Sequence, residues 1–255
     1  MSSNHQRTGF WLARIRRFDP GNFIRGFDTG DLIIVALGYL VLWFNIETFS
    51  VFGWELASAR DYSLSTALVV ALVAGVITAR HVISRQDASI LSLFGLVRPA
   101  NGWVQLRKED LLWAGYALLF ALALLFVSEK TGWGSSYDAG LPSDESIVTV
   151  LLTFLLIALV TPVAEEIMFR GIIFGGLRER LTGFNGLVLC VLISGGLFAL
   201  GHAYPNDPKF YQSLALGLFA AYTYNRSGSL FSALVVHGLF NFLGGVAFLA
   251  HWFIS

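Results

Sequence analysis

Seven stretches of the chain are apolar over lengths that match a lipid bilayer: 32–52, 64–83, 111–128, 147–174, 186–204, 210–225 and 230–253. A helix needs about 20 residues to cross the ~30 Å hydrocarbon layer. Within lipid every backbone N–H and C=O must be satisfied inside the protein, which leaves helices or closed barrels, and runs this long read as helices. The expected fold is therefore all-α: a polytopic membrane helix bundle with seven transmembrane helices, or eight if segment 86–104, read as a loop, also crosses. The sixth stretch is short. The fourth is long enough to be broken or tilted around Pro162. Composition agrees, since only 13% of the 255 residues are charged, about half the share of a soluble domain.

Loop charges orient the bundle, because Lys and Arg concentrate on the cytoplasmic side. One set of segments carries Arg7, Arg14, Arg16, Arg17 and Arg25, then Arg80, Arg85, Arg98, Arg107 and Lys108, then Arg178, Arg180 and Arg226. The opposite set carries Arg60, Lys130 and Lys209, beside the acidic stretch YDAGLPSDES. This bias predicts a cytoplasmic N-terminus in an inner or plasma membrane. Residues 1–30 form a basic arm that is polar rather than leader-like. Within it, FWLARIRRF puts Trp11, Leu12, Ile15 and Phe18 on one helical face, fit for the membrane surface, or simply sets topology. Residues 31–146 read as N-terminal membrane helices and 147–255 as a membrane domain that carries the chemistry. Lys plus Arg equals Asp plus Glu at 17 each, so no nucleic-acid footprint is expected. The single Cys190 has no intrachain disulfide partner and reads as packing.

Three places break the apolar pattern, all in the second half. The first is TPVAEEIMFRG, with Glu165, Glu166 and Arg170. An ionisable group at the centre of a membrane helix costs roughly 2.5–3.5 kcal/mol even on insertion scales, so three together call for a function. The second is FALGH, with Phe198 and His202; the third is HGLFN, with His237 and Asn241. Residues four apart share a helix face, so Glu166 and Arg170 are placed to pair. Glu165, turned by about 100°, faces another partner. At ~1.5 Å per residue the polar groups of three helices fall at comparable depth, as one shared site requires. A carboxylate, two imidazoles and an amide suit attack of water on a peptide bond. Glu165 would take a proton from water, and His202 would hold that water or pass the proton on. His237 and Asn241 would donate to the oxyanion. Small residues (Gly171, Gly175, Ser194, Gly195, Gly196) would let helices approach closely.

EEIMFR, FALGH and HGLFN, in this order on three late helices, resemble the EExxxR, FxxxH and HxxxN motifs of the CPBP family. That family is also called Abi, and it contains the type II CAAX prenyl endopeptidases and bacteriocin-processing or immunity proteins. The resemblance covers roughly 147–245. It implies an intramembrane glutamic endopeptidase that needs no cofactor. Glu165 and His202 would activate water, His237 and Asn241 would form the oxyanion hole, and Glu166 and Arg170 would support the site. The implied partners are a membrane-associated protein or peptide substrate, prenylated or not, and the bilayer itself. Zinc stays open as the alternative, because one Glu and two His could ligate it, although HExxH is missing.

Each motif also has a plainer reading. Glu166 and Arg170 can simply pin helix packing; Phe198 reads as packing; Asn241 can join helices. The seven Trp fit interfacial belts. His81, His251 and Glu47 read as interfacial or paired. LISGG has no glycine two residues before its serine, as a rhomboid-type GxSG needs, and Tyr137–Asp138 sits in a polar loop with no GxGD after it. Besides the endopeptidase, two function classes remain open. A catalytically silent scaffold or bacteriocin-immunity protein has no need of an unpaired Glu165. A transporter would show a repeat-related polar site in the first half, which the sequence lacks.

Overall fold

The computed structural model describes residues 33–34, 72–73, 75–76, 108–133 and 147–254. The basic arm, most of the first two apolar stretches, segment 86–104, Glu47, His81 and Tyr137–Asp138 lie outside the described residues, as does the side chain of His251. The expectation of seven or eight crossings therefore rests in part on residues beyond this description.

The described residues are helical, with no strand among them. Helix α1 spans Lys108–Thr131. A composite helix follows: α2 (Ile147–Leu155), a π-helical stretch π1 (Leu156–Val160), α3 (Thr161–Glu166), a second π-helical stretch π2 (Ile167–Phe174) and α4 (Gly175–Arg180). Then come α5 (Gly183–Leu200), α6 (Pro208–Ser227) and α7 (Leu230–Ile254). Among the described residues three segments are long and apolar enough to cross a membrane, Leu111–Thr131, Gly183–Leu200 and Leu230–Ala247. Leu119, Leu122, Phe126, Leu189 and Leu192 are exposed on them, an apolar exterior that suits lipid.

Helix α7 packs on α1, α6 and the composite helix; α6 packs on α5, and α5 on π2. Helices α5 and α6 meet at glycines. A Cβ on Gly217 would stand 3.0 Å from Gly195 Cα and O, and one on Gly195 would stand 2.9 Å from Leu218 N. Only the missing side chains let the two backbones come this close, the usual device of helix contacts in lipid.

Pro162 explains the first irregularity of the composite helix. It lies at the start of α3, directly after π1. Proline has no N–H and its ring crowds the carbonyl four residues back, so helix pairing must change there. The Thr161 N–H reaches back five residues to Leu156 O, the wide π pairing. The expectation that this stretch is broken around Pro162 thus takes a definite form: the helix widens and continues to Arg180. A second difference lies in the 186–204 stretch. Its helix runs Gly183–Leu200, and His202 sits in the turn beyond it. A hydropathy window does not register where backbone pairing stops: here the N–H groups of His202 and Ala203 both fold back to Ala199 O.

Candidate active site

Glu165 and Glu166 end α3 and Arg170 lies in π2; both glutamates are buried, and Arg170 is wholly so. Arg170 Nη1 donates to Glu166 Oε1 at 2.8 Å, the pairing expected of residues four apart. Arg170 Nη2 donates to Gly217 O on α6 at 3.1 Å. Its guanidinium carbon lies 4.7 Å from the centre of the Phe198 ring, within cation–π range. One buried cation therefore joins the composite helix, α5 and α6. The approach of Gly195 to Gly217 brings that carbonyl within reach.

Glu166 has a second partner. His237 Nδ1, on α7, lies 2.9 Å from the same Oε1. That oxygen already accepts from Arg170, so the carboxylate receives a proton and Nδ1 carries it. In the neutral imidazole, Nε2 then carries no proton and can only accept. His202 is arranged the same way: its Nδ1 lies 2.8 Å from Phe198 O, a carbonyl that can only accept. Its Nε2 is likewise unprotonated.

Both unprotonated nitrogens face Glu165. Glu165 Oε2 lies 3.5 Å from His237 Nε2 and 3.7 Å from His202 Nε2. It has no hydrogen-bond partner among the described residues. Three proton acceptors thus converge without a donor among them, at separations that a small donor can bridge. The His202 side chain is 34% exposed, against 11% for Glu165 and 1% for His237, so the cluster opens on the His202 side. Beyond it the turn 201–207 is largely exposed, with Tyr204 at 78%.

Phe198 packs the site together, wholly buried, with its ring centre 4.3 Å from that of His202 and 5.3 Å from that of His237. Asn241 is half-buried; its Nδ2 donates to Ile157 O at 3.0 Å and lies 3.3 Å from His237 Nε2. Glu165, Glu166, Arg170, Phe198, His202, His237 and Asn241 therefore lie in one cluster. The structure adds three groups: the carbonyls of Gly217 and Ile157, and Ser194, whose hydroxyl donates to Phe169 O at 2.9 Å. Ser194 stands out in the sequence only as a small residue and as the serine of LISGG. The Ile157 carbonyl is signalled only by the proline five residues after it. Among the described residues no three His, Cys, Asp or Glu side chains are gathered closely enough to hold a metal ion.

Apolar helices enclosing a carboxylate–imidazole–amide cluster define a class of membrane protein with a buried polar site. Residues 147–243 match the family described as "Type II CAAX prenyl endopeptidase Rce1-like". The match contains every residue of the cluster. Together with the three apolar helices it makes the chain a CAAX-protease-like integral membrane protein. Two curated relatives are similar over part of it. An "Uncharacterized 24.3 kDa protein" of Escherichia coli is 33% identical over 96 residues, covering 37% of this chain and 43% of the relative. The "UPF0177 protein YxdF" of Lactococcus lactis subsp. lactis (strain IL1403) is 27% identical over 112 residues, covering 43% and 58%. The matches thus span about half the length of these relatives. No solved structure gives a significant match.

Proposed function

We propose that the protein is an intramembrane endopeptidase that hydrolyses peptide bonds of membrane-associated proteins or peptides. The observation that carries this reading is the convergence of Glu165 Oε2 and the unprotonated Nε2 atoms of His202 and His237. Three acceptors around one point call for a molecule that brings protons, and water brings two. A water held there donates to Glu165 and His202, which leaves a lone pair free to attack a carbonyl carbon. As the C–O bond forms, the water proton passes to Glu165, the general base. The same proton then goes to the departing amide nitrogen as the C–N bond breaks. The carbonyl oxygen gains negative charge. The Asn241 amide, whose nitrogen lies 3.3 Å from His237 Nε2, is the donor placed to turn to it, and His237 holds that amide in place until it does. Glu166 and Arg170 stay paired and hold the His237 ring. In this reading water is activated by side chains alone, without a metal. The substrate reaches the site from the exposed His202 side, and it is a membrane-associated polypeptide, prenylated or not.

The test compares N- and C-terminal peptides from host membranes that carry wild-type protein or Glu165→Gln at equal abundance. Termini that appear with wild type and vanish with the variant support the endopeptidase and name its substrate. Identical termini at matched abundance replace it with a silent scaffold or immunity protein on the same fold.

A further inference from the structure

The amide of Asn241 is held by a break in another helix, and the break is made by Pro162. At the end of π1 the Thr161 N–H pairs with the carbonyl five residues back, that of Leu156. The next N–H in that register would serve Ile157 O, and it belongs to residue 162, a proline without one. In ordinary α pairing the same proline would have served Ala158 O. The freed Ile157 O faces α7 and accepts from Asn241 Nδ2 at 3.0 Å. A carbonyl can only accept, so the amide nitrogen, not its oxygen, must face Ile157. That fixes the flip of Asn241 and sends its second hydrogen toward His237 Nε2.

We propose that Pro162 is a positioning residue of the site: by leaving Ile157 O without a helical partner, it anchors the Asn241 amide with its nitrogen toward His237. The inference rests on the reading of His237 and Asn241 as working parts of the endopeptidase, but it concerns their resting geometry and is tested without turnover. It accounts for a proline in mid-membrane without invoking flexibility. The chain ends with two devices acting on one ring: Glu166 holds the proton on Nδ1, and Asn241 occupies the lone pair on Nε2.

The test is nitrogen NMR of full-length protein in lipid nanodiscs, labelled with ¹⁵N-histidine, with the His237 signals identified from a His237→Gln variant. In wild type His237 should be neutral, protonated at Nδ1, with its Nε2 signal displaced by an accepted hydrogen bond. Asn241→Ala should move Nε2 to the position of a free lone pair. Pro162→Ala restores the N–H, lets the helix recapture Ile157 O, and should move the same signal the same way. The double variant should move it no further than Asn241→Ala alone, whereas unrelated structural damage would add. Pro162→Gly restores the same N–H and serves if Pro162→Ala fails to fold; it should move the signal the same way. A wild-type Nε2 already protonated overturns the proposal. So does a Pro162→Ala or Pro162→Gly signal at the wild-type position. Cleavage enters none of these readouts, so the proposal can fail while the endopeptidase stands, and the reverse.

Discussion

Glu166 Oε1 accepts from His237 Nδ1 at 2.9 Å across 71 residues of sequence. This contact ties α7 to the composite helix, and it explains why two adjacent glutamates do different things. Glu166 also accepts from Arg170 and is committed to structure. Glu165 meets only the unprotonated edges of the two imidazoles.

Breaking the Glu166–Arg170 pair from one side leaves a buried charge without a partner. Glu166→Ala or Arg170→Met alone should cost about 3–5 kcal/mol, and the two changes together less than the sum of the single losses. Unfolding by SDS or urea in detergent micelles measures all three variants against wild type.

His202 separates stability from chemistry. It lies beyond the end of α5, partly exposed, and the one hydrogen bond of its side chain among the described residues is to Phe198 O. His202→Ala should shift stability by only about 1 kcal/mol. Under the proposed mechanism it lowers cleavage by about 10²–10⁴-fold. A loss of folding in step with the loss of cleavage would contradict that division.

Gly217 has no room for a side chain. A Cβ there meets backbone atoms of Gly195 at 3.0 Å and the Phe198 ring at 3.2 Å, and backbone cannot step aside. Gly217→Ala should destabilise by about 1–3 kcal/mol. It should also draw Gly217 O away from Arg170, so thermal unfolding and cleavage fall together. Gly196, where a Cβ would meet nothing within 4 Å, is the control: Gly196→Ala should keep both.

Water activation by side chains alone has its own check. Cleavage by purified protein should be unchanged after prolonged dialysis against strong chelators, and added zinc should not raise it. Activity that disappears on chelation and returns with zinc would assign Glu165, His202 and His237 to a metal instead.

The site is far more legible in the sequence than its surroundings. Glu166 with Arg170, Phe198 with His202 and His237 with Asn241 are each four residues apart, and that spacing puts the members of each pair together. Ionisable groups in lipid are also costly enough to stand out by type alone. What could not be read is where backbone pairing departs from the α pattern. The end of α5 before His202 depends on which carbonyl each N–H chooses, as does the widening at π1. Side-chain hydropathy carries no trace of that choice. The Arg170 contact to Gly217 O escapes for a related reason, since a backbone acceptor leaves no mark in the sequence.

The wide turn of π2, Ile167–Phe174, has a consequence for chain length. In an ordinary helix, removing one residue rotates everything beyond it by about 100° and scrambles both faces. A π turn holds surplus chain, and it can give up a residue by narrowing to α while its flanks keep their facing. Deleting Ile173 leaves the spacing of Glu165, Glu166 and Arg170 untouched, and the slack should absorb the loss. The same deletion at Val191, inside regular α5, should turn Phe198 and His202 away from their partners. The helix that carries the two glutamates thus holds a reserve of length beside the site, and the helix facing it does not.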